Sequence, residues 1–95
     1  MPFYMVERAF AERIEENREG ADEINLINAD LGVRWIVSFL SADKRKTFCL
    51  YEAPTAEAIR EAARRAGIPA DVIVEVAEEI APNGAMSPLK IDRFN

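Results

Sequence analysis

Apolar residues recur along this chain at two spacings, every second position and every third or fourth, and the alternation between them predicts six elements in the order βαββαβ. Phe3 to Phe10 is a short apolar and aromatic run with Glu7 and Arg8 on opposite sides, which predicts a first strand. From Ala11 to Asp30 the chain becomes acidic and helical, with Ile24, Ile27 and Leu31 on one stripe, Gly20 as a point where it can divide, and Gly32 as its stop. Val33 to Ser41 predicts a second strand, residues 42–46 a charged hairpin tip, and Thr47 to Glu52 a third strand antiparallel to the second. Pro54-Thr55 opens the best-marked helix, with Thr55 as N-cap, Glu57 in the first turn, Ile59, Ala62, Ala63 and Ala66 as the buried stripe, and Gly67 as the stop. Val72 to Ile80 then predicts a fourth strand, with Val72, Val74 and Val76 on one face and Glu75 and Glu79 on the other.

Two right-handed βαβ units joined by a hairpin imply an α+β, ferredoxin-like sandwich, with a four-stranded antiparallel sheet in the order 4-1-3-2 and both helices on one face. Unbroken alternation in strand two puts Val33, Trp35, Val37 and Phe39 on one side and Arg34, Ile36, Ser38 and Leu40 on the other. Both sides are then mostly apolar, although an antiparallel sheet with one wet face should alternate cleanly. A second copy packed on the helix-free face is the economical cover, so we expect a homodimer. The domain is expected over residues 1–80. Residues 81–95 form a C-terminal tail that opens on the turn Pro82-Asn83-Gly84 and carries Met86, Leu89, Ile91 and Phe94.

With 95 residues and 49% apolar composition the chain forms one domain, small enough for oligomerisation to help its stability. The net charge of −5 argues against nucleic acid as a partner. The complete lack of histidine removes the usual general base, the commonest metal ligand, and Ser/His/Asp or Cys/His catalysis. A lone cysteine, Cys49, fits a reducing compartment. Charges at Glu7 and Arg8 interrupt any secretory signal, and the apolar segment Trp35–Leu40 is far short of the roughly 20 residues that span a bilayer, so no membrane association and a cytoplasmic location are expected.

Candidate chemistry is sparse. Glu7, in an otherwise apolar strand, is either a carboxylate facing a dimer cavity, as an acid/base group or metal ligand, or one half of an ion pair with Arg8 of the partner subunit or with Arg34. Arg34 and Ser38 read as a salt bridge and a packing contact, or as donors to an anionic or carbonyl-bearing ligand. Cys49 and Tyr51, two apart on strand three, share a face. The thiol is either a soft metal ligand or a small core residue. The Tyr51 hydroxyl needs a partner if buried and is suited to orienting a ligand, while Trp35 lines a pocket or plugs an interface. The basic tip Lys44-Arg45-Lys46 reads as a solvated turn, and Glu75, Glu78 and Glu79 as a charged edge.

The strings Val33-Arg34-Trp35, Ser38-Phe39, Phe48-Cys49-Leu50-Tyr51-Glu52-Ala53-Pro54, Glu57-Ala58-Ile59-Arg60-Glu61-Ala62-Ala63 and Ala66-Gly67-Ile68-Pro69-Ala70 resemble the nickel-responsive-protein-like family of small domains. The likeness runs from Val6-Glu7-Arg8 to about Val76 and does not include the tail. It implies a ferredoxin-like subunit, a dimeric α+β barrel built from two apposed sheets, and Ni(II) as a ligand. Many relatives carry histidine two residues after the tryptophan, where this chain has Val37, so a nickel site here would fall to carboxylate, thiolate or phenolate donors, Glu7 and Cys49 first among them.

The function expected is that of a non-enzymatic dimer that binds a small molecule or a metal, with Glu7, Arg34, Trp35 and Tyr51 as the ligand-binding set. The alternative is a cofactorless enzyme, monooxygenase-like or isomerase-like, by analogy with other dimeric α+β barrels. Tyr51 would then orient a carbonyl or phenolic substrate, Glu7 move a proton and Arg34 stabilise negative charge. A structural module whose cavity is filled by side chains is the third reading.

Overall fold

The computed structural model describes residues 1–90 of the chain. The elements run β1 (Phe3–Ala9), α1 (Arg18–Asp30), β2 (Arg34–Leu40), β3 (Lys46–Glu52), α2 (Ala56–Ala66), β4 (Val72–Val76), β5 (Glu78–Ile80) and β6 (Met86–Pro88). The first four strands form one antiparallel sheet in the order β2-β3-β1-β4, which is the expected 4-1-3-2 arrangement of a ferredoxin-like fold.

Register decides which side chains meet the helices. Pairing of Tyr4 with Tyr51 and of Val6 with Cys49 puts these four on one face, where they form the core with Val33, Ala53 and Ile59 of α2. Alternation sends Phe3, Met5 and Glu7 of β1 to the other face, which no helix covers.

α2 forms as expected. The Thr55 hydroxyl caps it by accepting from Ala58 N at 3.1 Å, and Gly67 ends it at φ +69°, a left-handed conformation that glycine adopts without steric cost. Arg64 and Arg65 both bond the Glu61 carboxylate and hold its pKa down at about 2, and Arg65 also reaches Asp30 of α1 at 2.7 Å. The two helices are thereby tied together at the surface.

Three expectations are corrected. The first helix begins at Arg18 rather than Ala11, because Asn17 caps it, its Oδ1 accepting from Gly20 N at 2.9 Å. Gly20 does not divide the helix. A Cβ there would come within 2.6 Å of the Asn17 side chain, so the glycine makes room for the cap. Residues 10–17 instead run past the β2–β3 hairpin, with Phe10 N bonded to Arg45 O and Ile14 N to Lys44 O.

The second correction concerns β2. Its pairing with β3 shifts between Trp35 and Val37, so Ile36 is an extra residue in a β-bulge. Trp35, Ser38 and Leu40 therefore lie on the helix face opposite Tyr51, Cys49 and Thr47, whereas Arg34, Val37 and Phe39 lie on the open face. The unbroken alternation expected for this strand, and with it the shared face of Arg34 and Ser38, does not hold.

The third is strand four, which ends at Val76 instead of Ile80. Its partner residue there is Phe3, the first residue of β1, so no further strand is available for pairing. The chain turns away at Ala77 and pairs β5 with β6 in a separate two-stranded ladder, closed by the turn at Gly84 and by Leu89 N donating to Ala77 O. This hairpin straddles residue 80, the boundary expected between domain and tail. Ile91 and Phe94 lie outside the described residues.

Candidate functional site

The bulge in β2 and the late start of α1 together create a half-open cavity of about 690 Å³ between the helix face of the sheet and the segment that leads into α1. Trp35, Ser38, Thr47, Cys49 and Tyr51 form its floor, Ile14 and Ile24 its apolar roof, and Arg8 lies at its inner end. Glu15, Glu16 and Arg18 stand exposed around the mouth.

Arg8 is the residue that sequence reading missed as a site group. It is only 4% exposed, although it carries a full charge. Its guanidinium donates to the Pro69 carbonyl, presented by the chain just after the Gly67 stop, and to the Tyr51 hydroxyl at 3.1 Å. It also lies 5.6 Å from the centroid of the Tyr51 ring, within cation–π range. The signal was present in β1, where alternation assigns Arg8 to the same stripe as the apolar Tyr4 and Val6.

Burial pushes the Tyr51 phenol up to about 12, a rise that the neighbouring Arg8 charge partly offsets. Tyr51 therefore holds its proton through the physiological range. A raised folded pKa means that the native state binds the proton more tightly, so the associated stability is complete below pH 10, the ordinary phenol value, and is lost between pH 10 and 12. In an alkaline titration followed by tyrosinate absorbance, Tyr51→Phe is expected to remove a step centred near pH 12. Loss of a step near pH 10 instead would contradict this environment for the phenol.

The remaining hydrogen bonds constrain the cavity walls. Trp35 Nε1 donates to Ser38 Oγ at 2.8 Å, which orients the indole along the floor. The Cys49 thiol is buried and donates to Thr47 Oγ1 at 3.5 Å.

The expected site residues fall into two groups. Trp35, Cys49 and Tyr51 come together in the cavity. Glu7 and Arg34 are on the open face, where Glu7 makes a solvent-exposed pair with Lys46 at 3.5 Å and Arg34 lies in register with Glu52. Glu7 and Cys49 thus project from opposite sides of the sheet and do not share a metal ion within one chain. Among the described residues, no group of three or more Cys, Asp or Glu side chains converges, and histidine is absent from the sequence. This donor set does not fit a nickel centre built by one chain. Among the described residues, no helix is long and apolar enough to cross a membrane.

No curated protein matches the chain. Among solved structures it is similar to SCO4226 from Streptomyces coelicolor A3(2), at 25% identity and a TM-score of 0.68, over 78% of this chain and 94% of that one. The family described as nickel responsive protein SCO4226-like matches residues 4–76, from β1 through β4, leaving the β5–β6 hairpin outside. With the sheet, both helices and the cavity floor all inside that span, the chain belongs to the SCO4226-like nickel-responsive protein family.

Proposed function

We propose that this protein binds a small organic molecule in the cavity beneath α1 and works as a homodimer joined through the open faces of two sheets. The cavity carries the reading: its volume of about 690 Å³ is within the ordinary range for ligand pockets, and few polar groups converge on its largely apolar lining. Nickel is the rival ligand, because the family is described by it. The separation of Glu7 from Cys49 across the sheet favours the organic ligand. Binding is favoured over catalysis because Tyr51, Glu7 and Arg34, the groups that a cofactorless reaction would recruit, do not meet within one chain.

The test is calorimetry on tag-free protein, with octanol, benzyl alcohol, octanoate and benzoate as probes, alongside emission from Trp35, the single tryptophan. At least one probe is expected to bind saturably and to shift the Trp35 emission, and Ala21→Phe, which fills the cavity from α1, is expected to abolish both effects. Failure of all four would remove the cavity as a ligand site. In a parallel arm, Ni(II) alone is expected to produce no stoichiometric heat. Such heat, weakened by Cys49→Ala or Glu7→Gln, would transfer the function to metal binding.

A further inference from the structure

Among the described residues, the carboxylates that line the cavity, Glu15 and Glu16, are exposed, while Arg8 is buried. Arginine has only donors, so where Arg8 meets Tyr51 the hydroxyl oxygen must accept, and the phenolic proton is left to the Cys49 sulfur, a weak acceptor that a carboxylate would outcompete. The indole N–H likewise only donates, so Ser38 Oγ accepts from Trp35 and keeps its own proton for another partner. Among the described residues, two of the five N–H groups on Arg8 are engaged, one by the Pro69 carbonyl and one by Tyr51. Among the described residues no carboxylate forms an ion pair with Arg8.

An arginine that is 4% exposed and has no counter-charge among the described residues is an expensive arrangement for a domain this small. Buried cations are ordinarily paired, and here the one without an ion-pair partner among the described residues lies at the inner end of a cavity. We propose that the missing partner is the ligand: a monocarboxylate with an apolar body, its carboxylate held by Arg8 and the Tyr51 hydroxyl, and its body lying against Trp35, Ile14 and Ile24.

The chemistry supports each part of that description. Arginine's planar fork matches a carboxylate, and charge-assisted bonds there are shorter and stronger than neutral ones. Because the Tyr51 phenol stays protonated, it donates to the anion instead of repelling it. At the mouth Glu15 and Glu16 outnumber Arg18, which together with a net charge of −5 works against multiply charged ligands, and of the two lining arginines only Arg8 is buried. The indole and the isoleucines offer the rest of the ligand an apolar bed.

This inference rests on the ligand reading of the cavity, and isosteric pairs separate the two. Octanoate is compared with octanamide, and benzoate with benzamide, by calorimetry at pH 7.5 on the wild-type protein, Arg8→Gln and Arg8→Lys. In the wild type at least one acid is expected to bind about tenfold or more tightly than its amide, the range for a hydrogen bond to a charged group. Arg8→Gln is expected to erase the preference while leaving amide affinity in place, and Arg8→Lys to retain part of it. Equal binding of acid and amide overturns the anion inference alone, and is the result expected if a rim glutamate swings in to neutralise Arg8 in solution. Absence of binding by either member of both pairs overturns the ligand reading and this inference with it. A preference that survives in folded Arg8→Gln, checked by circular dichroism, also overturns it. Should the Arg8 variants fail to fold, the wild-type comparison still decides.

Discussion

Phe39→Asp is expected to halve the particle mass of this protein in solution, from two chains to one, when measured by light scattering or sedimentation velocity. The expectation comes from three rows of side chains that cross the open face of the sheet. One row runs Val37, Leu50, Met5, Val74 and contains no polar residue. The next runs Phe39, Phe48, Glu7, Val72, and the third Arg34, Glu52, Phe3, Val76. Phe39 is 57% exposed and Val74 51% exposed in the single chain, so this face leaves large apolar side chains in water. A wet antiparallel face ordinarily carries polar residues at these positions.

A second copy packed face to face would bury about 800 Å² per partner if the contact reaches the usual size for a specific complex. Aspartate at position 39 would put an unpaired carboxylate into that contact on both copies, and burial of an unpaired charge is costly enough to dissociate a moderate interface. Because Phe39 is more than half exposed within one chain, the variant should still fold. Leu26→Asp supplies the control: Leu26 is 73% exposed on α1, away from this face, and its substitution should leave the mass unchanged. A wild-type protein already monomeric at micromolar concentration, or a Phe39→Asp variant that remains a dimer, would refute the assembly.

Ile59→Ala is expected to cost about 2 to 5 kcal/mol of folding stability in urea denaturation. That is a large fraction of the roughly 5 to 15 kcal/mol that holds a domain together. Along α2 the buried positions are Ile59, Ala62 and Ala63, and the alanines let the helix lie close to the sheet. Ile59 alone contributes bulk there, at 1% exposure, against the core formed by Tyr4, Val6, Cys49 and Tyr51. Truncation would leave a void that a rigid helix–sheet contact closes only in part. Arg60→Ala, one position along and exposed, is expected to change stability by no more than about 0.5 kcal/mol. Both measurements need one fixed protein concentration, since dimerisation would add its own dependence. A loss at Ile59 no greater than at Arg60 would mean that α2 does not anchor the core.

Local signals carried most of the fold. Thr55, the apolar stripe at Ile59, Ala62 and Ala63, and Gly67 mark α2 without help from any other part of the chain, because capping and helical periodicity are satisfied within a few residues. The strands of the main sheet, the β2–β3 hairpin and the strand order follow similarly, since period-2 patterns and right-handed crossovers leave few alternatives. The sharing of one face by Cys49 and Tyr51 required only their spacing on a strand.

The site needed contacts between residues far apart. A one-residue bulge at Ile36 moved Trp35 into the cavity with Ser38 and sent Val37 and Phe39 to the open face, and apolar residues on both sides of β2 left no local mark of that switch. Arg8 gained its importance from Tyr51, 43 positions away, and Pro69, 61 positions away. The length of β4 was set by where β1 begins, because a strand persists only while its neighbour offers hydrogen-bond partners. From its own periodicities and caps, then, the sequence determined the elements of the main sheet, the two helices and their order, while the family was carried by short residue strings such as Phe48 to Pro54. Register, the bulge and burial, which depend on partners distant in the chain, decided which side chains face the cavity and which the open face of the sheet.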